Sequence, residues 1–191
     1  MYEAIAGISA AFGLASSAGL NAYIPLLLVA IATRLQWLKL SEPYDVIGSG
    51  WAIGILVVLL IIEMTVDKIP AADTLNDVVQ TFIRPAAGAV LFAANANVIT
   101  DIHPIIALGA GLILAGGVHA TKTVVRPAVT ATTAGTGNWV VSIIEDVLAL
   151  IMSVLALLLP ILAVLVVLAF ILFVIWVYQK RRQRKNQLVF K

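Results

Sequence analysis

Gly13-Leu14-Ala15-Ser16-Ser17-Ala18-Gly19-Leu20-Asn21-Ala22 returns in altered form as Gly111-Leu112-Ile113-Leu114-Ala115-Gly116-Gly117-Val118-His119-Ala120. The offset is 98 positions for both 13 with 111 and 21 with 119, and polar Asn21 falls on polar His119. Two further echoes keep the same order: Ile61-Ile62-Glu63 with Ile143-Ile144-Glu145, and Pro85 with Pro160, each proline opening an apolar stretch. These offsets shrink to 82 and 75, and a pairing of Trp51 with Trp139 gives a conflicting 88. The ordered matches read as a duplication with shorter connections in the second copy. If each copy crosses a bilayer three times, the second enters from the opposite face, which is inverted topology.

Working outward, apolar stretches occupy 4–33, 51–66, 85–100, 104–125, 138–158 and 160–180. A helix needs about 20 residues to cross the hydrocarbon core, so the second and third are short. The expected fold is all-α: a polytopic membrane helix bundle of about six transmembrane helices in two inverted three-helix repeats, residues 1–100 and 101–180, followed by a basic tail at 181–191. Leu157-Leu158-Leu159-Pro160-Ile161-Leu162 has no polar turn residue, so one long kinked helix and five spans is the rival reading. Near 73–84, Leu75, Val78, Val79, Phe82 and Ile83 recur at helical spacing beside polar residues, which predicts a short amphipathic surface helix.

Composition points the same way. The 191 residues are 62% hydrophobic and only 12% charged, against roughly 25% charged in a soluble domain. There is no cysteine, so disulfide and thiolate chemistry are excluded. Met1-Tyr2-Glu3 is not the basic leader of a cleavable signal peptide. Basic residues crowd the C-terminus, and by the positive-inside rule they set it in the cytoplasm, with the N-terminus beside it. On that orientation Lys68, Arg84, Lys122 and Arg126 fall in cytoplasmic loops, while Arg34 and Lys39 face the other side.

Two sets of residues carry possible chemistry. The small-residue faces with Gly13, Ser17, Gly19, Gly111, Gly116 and Gly117 allow close helix packing. The same helices can instead loosen near mid-membrane, exposing backbone to a solute; Pro25, four residues after Asn21, removes a backbone donor there, and Thr123 stands at the matching place in the second copy. The acids Glu63 and Asp67, then Glu145 and Asp146, form the second set. Ionisable groups inside a span commonly mark ion or proton pathways, although for Asp67, followed by Lys68 and Pro70, an interfacial position is the better reading. His119 is a proton relay or a packing hydrogen bonder. A metal site is not expected, because His103 and His119 lack ligand spacing. Residues 130–138 lack the Gly-Lys-Ser/Thr ending of a phosphate loop, so no nucleotide cofactor is implied. Arg181, Arg182, Arg184 and Lys185 suit anionic lipid headgroups rather than nucleic acid.

The segment Ala18-Gly19-Leu20-Asn21-Ala22-Tyr23-Ile24-Pro25, with Glu63 and Gly116-Gly117-Val118-His119-Ala120, resembles an uncharacterised family of small bacterial membrane proteins, a domain of unknown function. The resemblance covers most of the chain up to about 160. It implies a multi-span protein of the bacterial inner membrane and supplies no activity. The residues themselves predict a small transporter or channel, not an enzyme. The path would pass Asn21, Pro25, Glu63, His119 and Glu145 and carry a small solute, cation or proton, with membrane lipids and a homodimer as partners. The alternative is a non-transporting scaffold or assembly factor packing through its small-residue faces.

Overall fold

The computed structural model describes residues 2–66, 70–95, 102–133 and 137–189. Asp67 and Lys68 lie outside these, as do the side chains of Arg126, Arg181, Arg182, Arg184 and Lys185. The described residues are all-α, in seven α-helices: α1 (Tyr2–Ala18), α2 (Tyr23–Arg34), α3 (Gly50–Val66), α4 (Pro70–Asn95), α5 (Pro104–Thr133), α6 (Asn138–Leu158) and α7 (Pro160–Val189). Of these, α5 and α6 are long and apolar enough to cross a membrane, while α3, at 17 residues, is shorter.

Helix α1 sits at the centre, touching α4, α5, α6 and α7. Ala11, Leu14, Ala15 and Ala18 on its buried side have no exposed surface, and such small side chains let several helices crowd round one. The outer faces are apolar too: Trp51, Ile55, Val58, Ile61 and Ile62 on α3, and Leu172, Phe173 and Trp176 on α7, are all exposed.

Three expectations about helix limits are corrected. The stretch 4–33 is two helices, interrupted between Ala18 and Tyr23. Pro25 lies in the first turn of α2, where its missing N–H costs nothing because early helical N–H groups lack intrahelical partners. The second copy does not loosen, since α5 runs unbroken past Gly116 and His119. The amphipathic segment 73–84 and the stretch from Pro85 onward are one helix, α4, with Pro85 inside it. Chain termination at Pro85 is overridden by contacts on both sides: Arg84 is tied to α3, and Gly88 to α5. The rival reading of 138–180 as one kinked helix does not hold, because Leu159 leaves helical geometry and α7 begins at Pro160.

Helices α4 and α5 pack tightly where Gly88 meets Gly111. A Cβ on Gly88 would strike Ala115 Cβ and come within 2.8 Å of the Gly111 carbonyl, and a Cβ on Gly111 would strike the Gly88 backbone. Gly19 likewise lets α5 pass the α1–α2 break, since its Cβ would fall 2.6 Å from Val118 Cβ. Gly13 is buried, but Gly116 makes only ordinary contact with Pro85, and Gly117 faces open space. Close packing therefore does not require glycine at 117. We expect Gly88→Ala to cost about 1–3 kcal/mol through overpacking. Gly117→Ala should instead be neutral or stabilising by about 0.5–1 kcal/mol, because glycine is a poor helix former. Thermal melts of the two detergent-solubilised variants check the contrast.

A buried ring of charged and polar groups

At the α1–α2 break, the N–H groups of Gly19 and Leu20 close the last turn of α1 onto Ser16 and Ser17 carbonyls at 3.1 and 2.9 Å. Asn21 is turned inward, 1% exposed, and its side-chain oxygen accepts from the N–H groups of Tyr23 (2.9 Å) and Ile24 (3.1 Å). Asparagine suits this place because it satisfies the orphan donors at the start of α2. Its Nδ2 then donates to Asp146 Oδ1 at 2.8 Å.

Helix α6 is built to meet α1. Ser142, Glu145, Asp146, Ala149, Ser153 and Ala156 recur every three or four residues and are all buried, making one polar stripe on an otherwise apolar helix. Ser17 Oγ donates to the Ala149 carbonyl at 2.7 Å and lies 2.7 Å from Ser153 Oγ. Glu145 is paired with Lys122 of α5, Nζ to Oε2, at 2.8 Å.

A second ion pair joins α3 and α4: Arg84 Nη2 to Glu63 Oε1 at 3.0 Å, with both side chains 1% exposed. Arg84 Nη1 also lies 3.4 Å from His119 Nδ1, and Thr81 Oγ1 lies 3.1 Å from His119 Nε2. Gln80, also buried, lies near the Tyr23 hydroxyl together with Glu63 and Arg84. Arg84 Nε and Gln80 Oε1 have no hydrogen-bond partner among the described residues.

These contacts close on themselves. Asn21 holds Asp146, and Tyr23, two residues on, lies near Gln80, Glu63 and Arg84. His119 and Lys122, one turn apart on the buried face of α5, hold Arg84 and Glu145. The result is a ring of polar groups drawn from α2, α3, α4, α5, α6 and the α1–α2 break.

Asn21, Glu63, His119 and Glu145 thus all belong to one ring, and Pro25 is fully buried beside it. The placement of Arg84 and Lys122 in surface loops is corrected: they are 1% and 6% exposed, because each has a carboxylate to neutralise it. A cavity of about 440 Å³ lies beside the ring and not within it. Its walls come from α1, α5, α6 and α7, including Ser16, Leu20, Gly117, Met152 and Val167, and are almost wholly apolar. His103 is exposed and its Nδ1 accepts from Ile105 N–H at 3.3 Å, which places it at the start of α5, away from His119. No group of three or more His, Cys, Asp and Glu suited to a metal ion occurs among the described residues.

The molecule is therefore a helical bundle whose apolar interior encloses paired charges. A profile for a domain of unknown function (DUF4126) matches residues 8–180, and the chain belongs to that uncharacterised family. No curated protein and no solved structure matches it.

Proposed function

We propose that this chain is a small membrane transporter or channel of two inverted three-helix repeats, with the charged ring as the part that handles a small solute, cation or proton. The observation that carries this reading is the cross-linking of the two halves. Asn21 reaches Asp146, and its counterpart His119 reaches Arg84, so each repeat's polar residue engages a charge of the other. Buried ionisable groups in an apolar bundle are costly, and in membranes they usually mark a pathway. The interrupted α1–α2 segment adds support: broken helices put a helix terminus beside the ions or solutes that transporters bind.

On this reading the exposed apolar faces of α3 and α7 meet lipid in a bacterial inner membrane. Orientation rests mainly on the basic tail, since Arg84 and Lys122 no longer count among loop charges, and the tail sets both termini in the cytoplasm next to anionic headgroups. A homodimer would enlarge the path beyond one small bundle.

Proteoliposomes loaded with a panel of small cations and neutral solutes provide the test. Flux is expected from the wild type and is expected to fall at least tenfold in folded Glu63→Gln and Glu145→Gln, about 1.4 kcal/mol or more in the rate-limiting step. Unchanged flux in both variants rejects the ring as the path. The apolar walls of the 440 Å³ cavity favour the second reading, a scaffold that receives a partner helix. No flux for any solute, together with a co-purifying membrane protein, would select it.

A further inference from the structure

We propose that the exchangeable cation of this ring is the proton, and that His119 takes it up at Nδ1 by displacing Arg84. The inference deepens the transport reading by naming the ion, but the protonation itself can be observed whether or not flux occurs.

The geometry fixes the resting form of His119. Arginine only donates, so Nδ1 facing Arg84 Nη1 must be the acceptor, and the ring proton sits on Nε2, donated to Thr81 Oγ1. Both contacts are satisfied together by the neutral Nε2–H form. Its contact with Arg84, at 3.4 Å, is long for a hydrogen bond, whereas Arg84 to Glu63 is 3.0 Å. A proton arriving on the Nδ1 lone pair displaces the longer of these two contacts and drives the guanidinium toward Glu63.

The charges of the ring favour this exchange. Among the described residues, Arg84 and Thr81 of α4 contact His119, and Arg84 in turn meets Glu63 of α3, with Tyr23 of α2 and Gln80 of α4 nearby. On its own helix the next charge is Lys122, which meets Glu145, and Asp146 follows on α6. Glu63, Glu145 and Asp146 set three carboxylates against two fixed cations, Arg84 and Lys122, among the buried described residues. An imidazolium at His119 brings that sum to zero, and a neutral set is the less costly one in a low-dielectric interior. A metal cation fits less well. One oxygen of each carboxylate is engaged by Arg84, Lys122 or Asn21, and no group of three or more His, Asp and Glu suited to a metal ion occurs among the described residues.

Nitrogen NMR of histidine-labelled protein in lipid nanodiscs tests the assignment, with His103→Gln leaving His119 as the sole imidazole. The expected result at alkaline pH is a protonated Nε2 and a bare Nδ1, with the Nδ1 signal shifting to the protonated position on acidification. An Nδ1–H tautomer, or a spectrum unchanged well below the ordinary histidine range, overturns it. Proteoliposomes with a trapped pH-sensitive dye give the second measurement. His119→Gln can make both neutral hydrogen bonds but cannot take a proton, so its flux should lose the response to acidification; a wild-type response in this variant also overturns the proposal. Titration of His119 without any wild-type flux would leave the proton site standing and reject transport.

Discussion

Arg84→Leu is expected to yield little folded protein, and Glu63→Leu/Arg84→Leu is expected to recover it. With Arg84 gone, Glu63 stays 2% exposed without its guanidinium, and stranding one member of a buried pair typically costs about 3–5 kcal/mol. That is a large share of a marginal stability of about 5–15 kcal/mol. Replacing both partners by apolar side chains removes the desolvation cost along with the attraction, and such exchanges are often neutral or stabilising by about 1–4 kcal/mol. Retention on size-exclusion columns after a graded heat step reads the fold, and flux reads the function. A pair kept for structure alone would leave the double variant folded and active, whereas a pair that serves the path leaves it folded and silent. If Arg84→Leu melts with the wild type, Arg84 does not hold Glu63 in the folded protein.

Part of this arrangement was legible in the chain. Pro160 marks a helix start because proline suits a first turn, although Leu157–Leu162, without a polar turn residue, leaves one kinked helix open; near Asn21 and Pro25 a loosening is legible, but not the full division of 4–33 into two helices. Glu63 and Glu145 stand out because a charge inside an apolar run is rare, and both are in the ring. The cations were not legible. Arg84 precedes a proline, which reads as a surface junction, and its counter-charge lies 21 residues away on another helix. Periodicity carries no information about such a pairing. Nor does the duplication supply it: the two acids occupy matching places, but their partners come from α4 in one case and α5 in the other. Position 122, moved back by the 98-residue offset, falls on Ile24. Gly88 escaped notice for a related reason. Its neighbours Ala86, Ala87 and Ala89 make it look like one more small residue, and only the crossing with Gly111 shows that nothing larger fits.

Substitutions at Asn21 should separate its two duties. Asn21→Ala removes the oxygen that caps α2, a loss of about 0.5–2 kcal/mol. It also removes the donor to Asp146, and hydrogen bonds to charged groups contribute about 1.5–3 kcal/mol. Asn21→Ser keeps a capping oxygen on a shorter side chain and loses the reach to Asp146, so it should melt between alanine and wild type. Asn21→Asp keeps the cap completely but turns the donor into a second carboxylate facing Asp146, which is 9% exposed. Like charges at hydrogen-bond distance away from water repel strongly, so Asp should be less stable than Ser despite being the better cap. Melting temperatures of the three variants in one detergent decide the order. A bare capping role predicts that Asp matches the wild type; the ring predicts that it does not, because the same side chain ties the interrupted helix to the acidic stripe of α6.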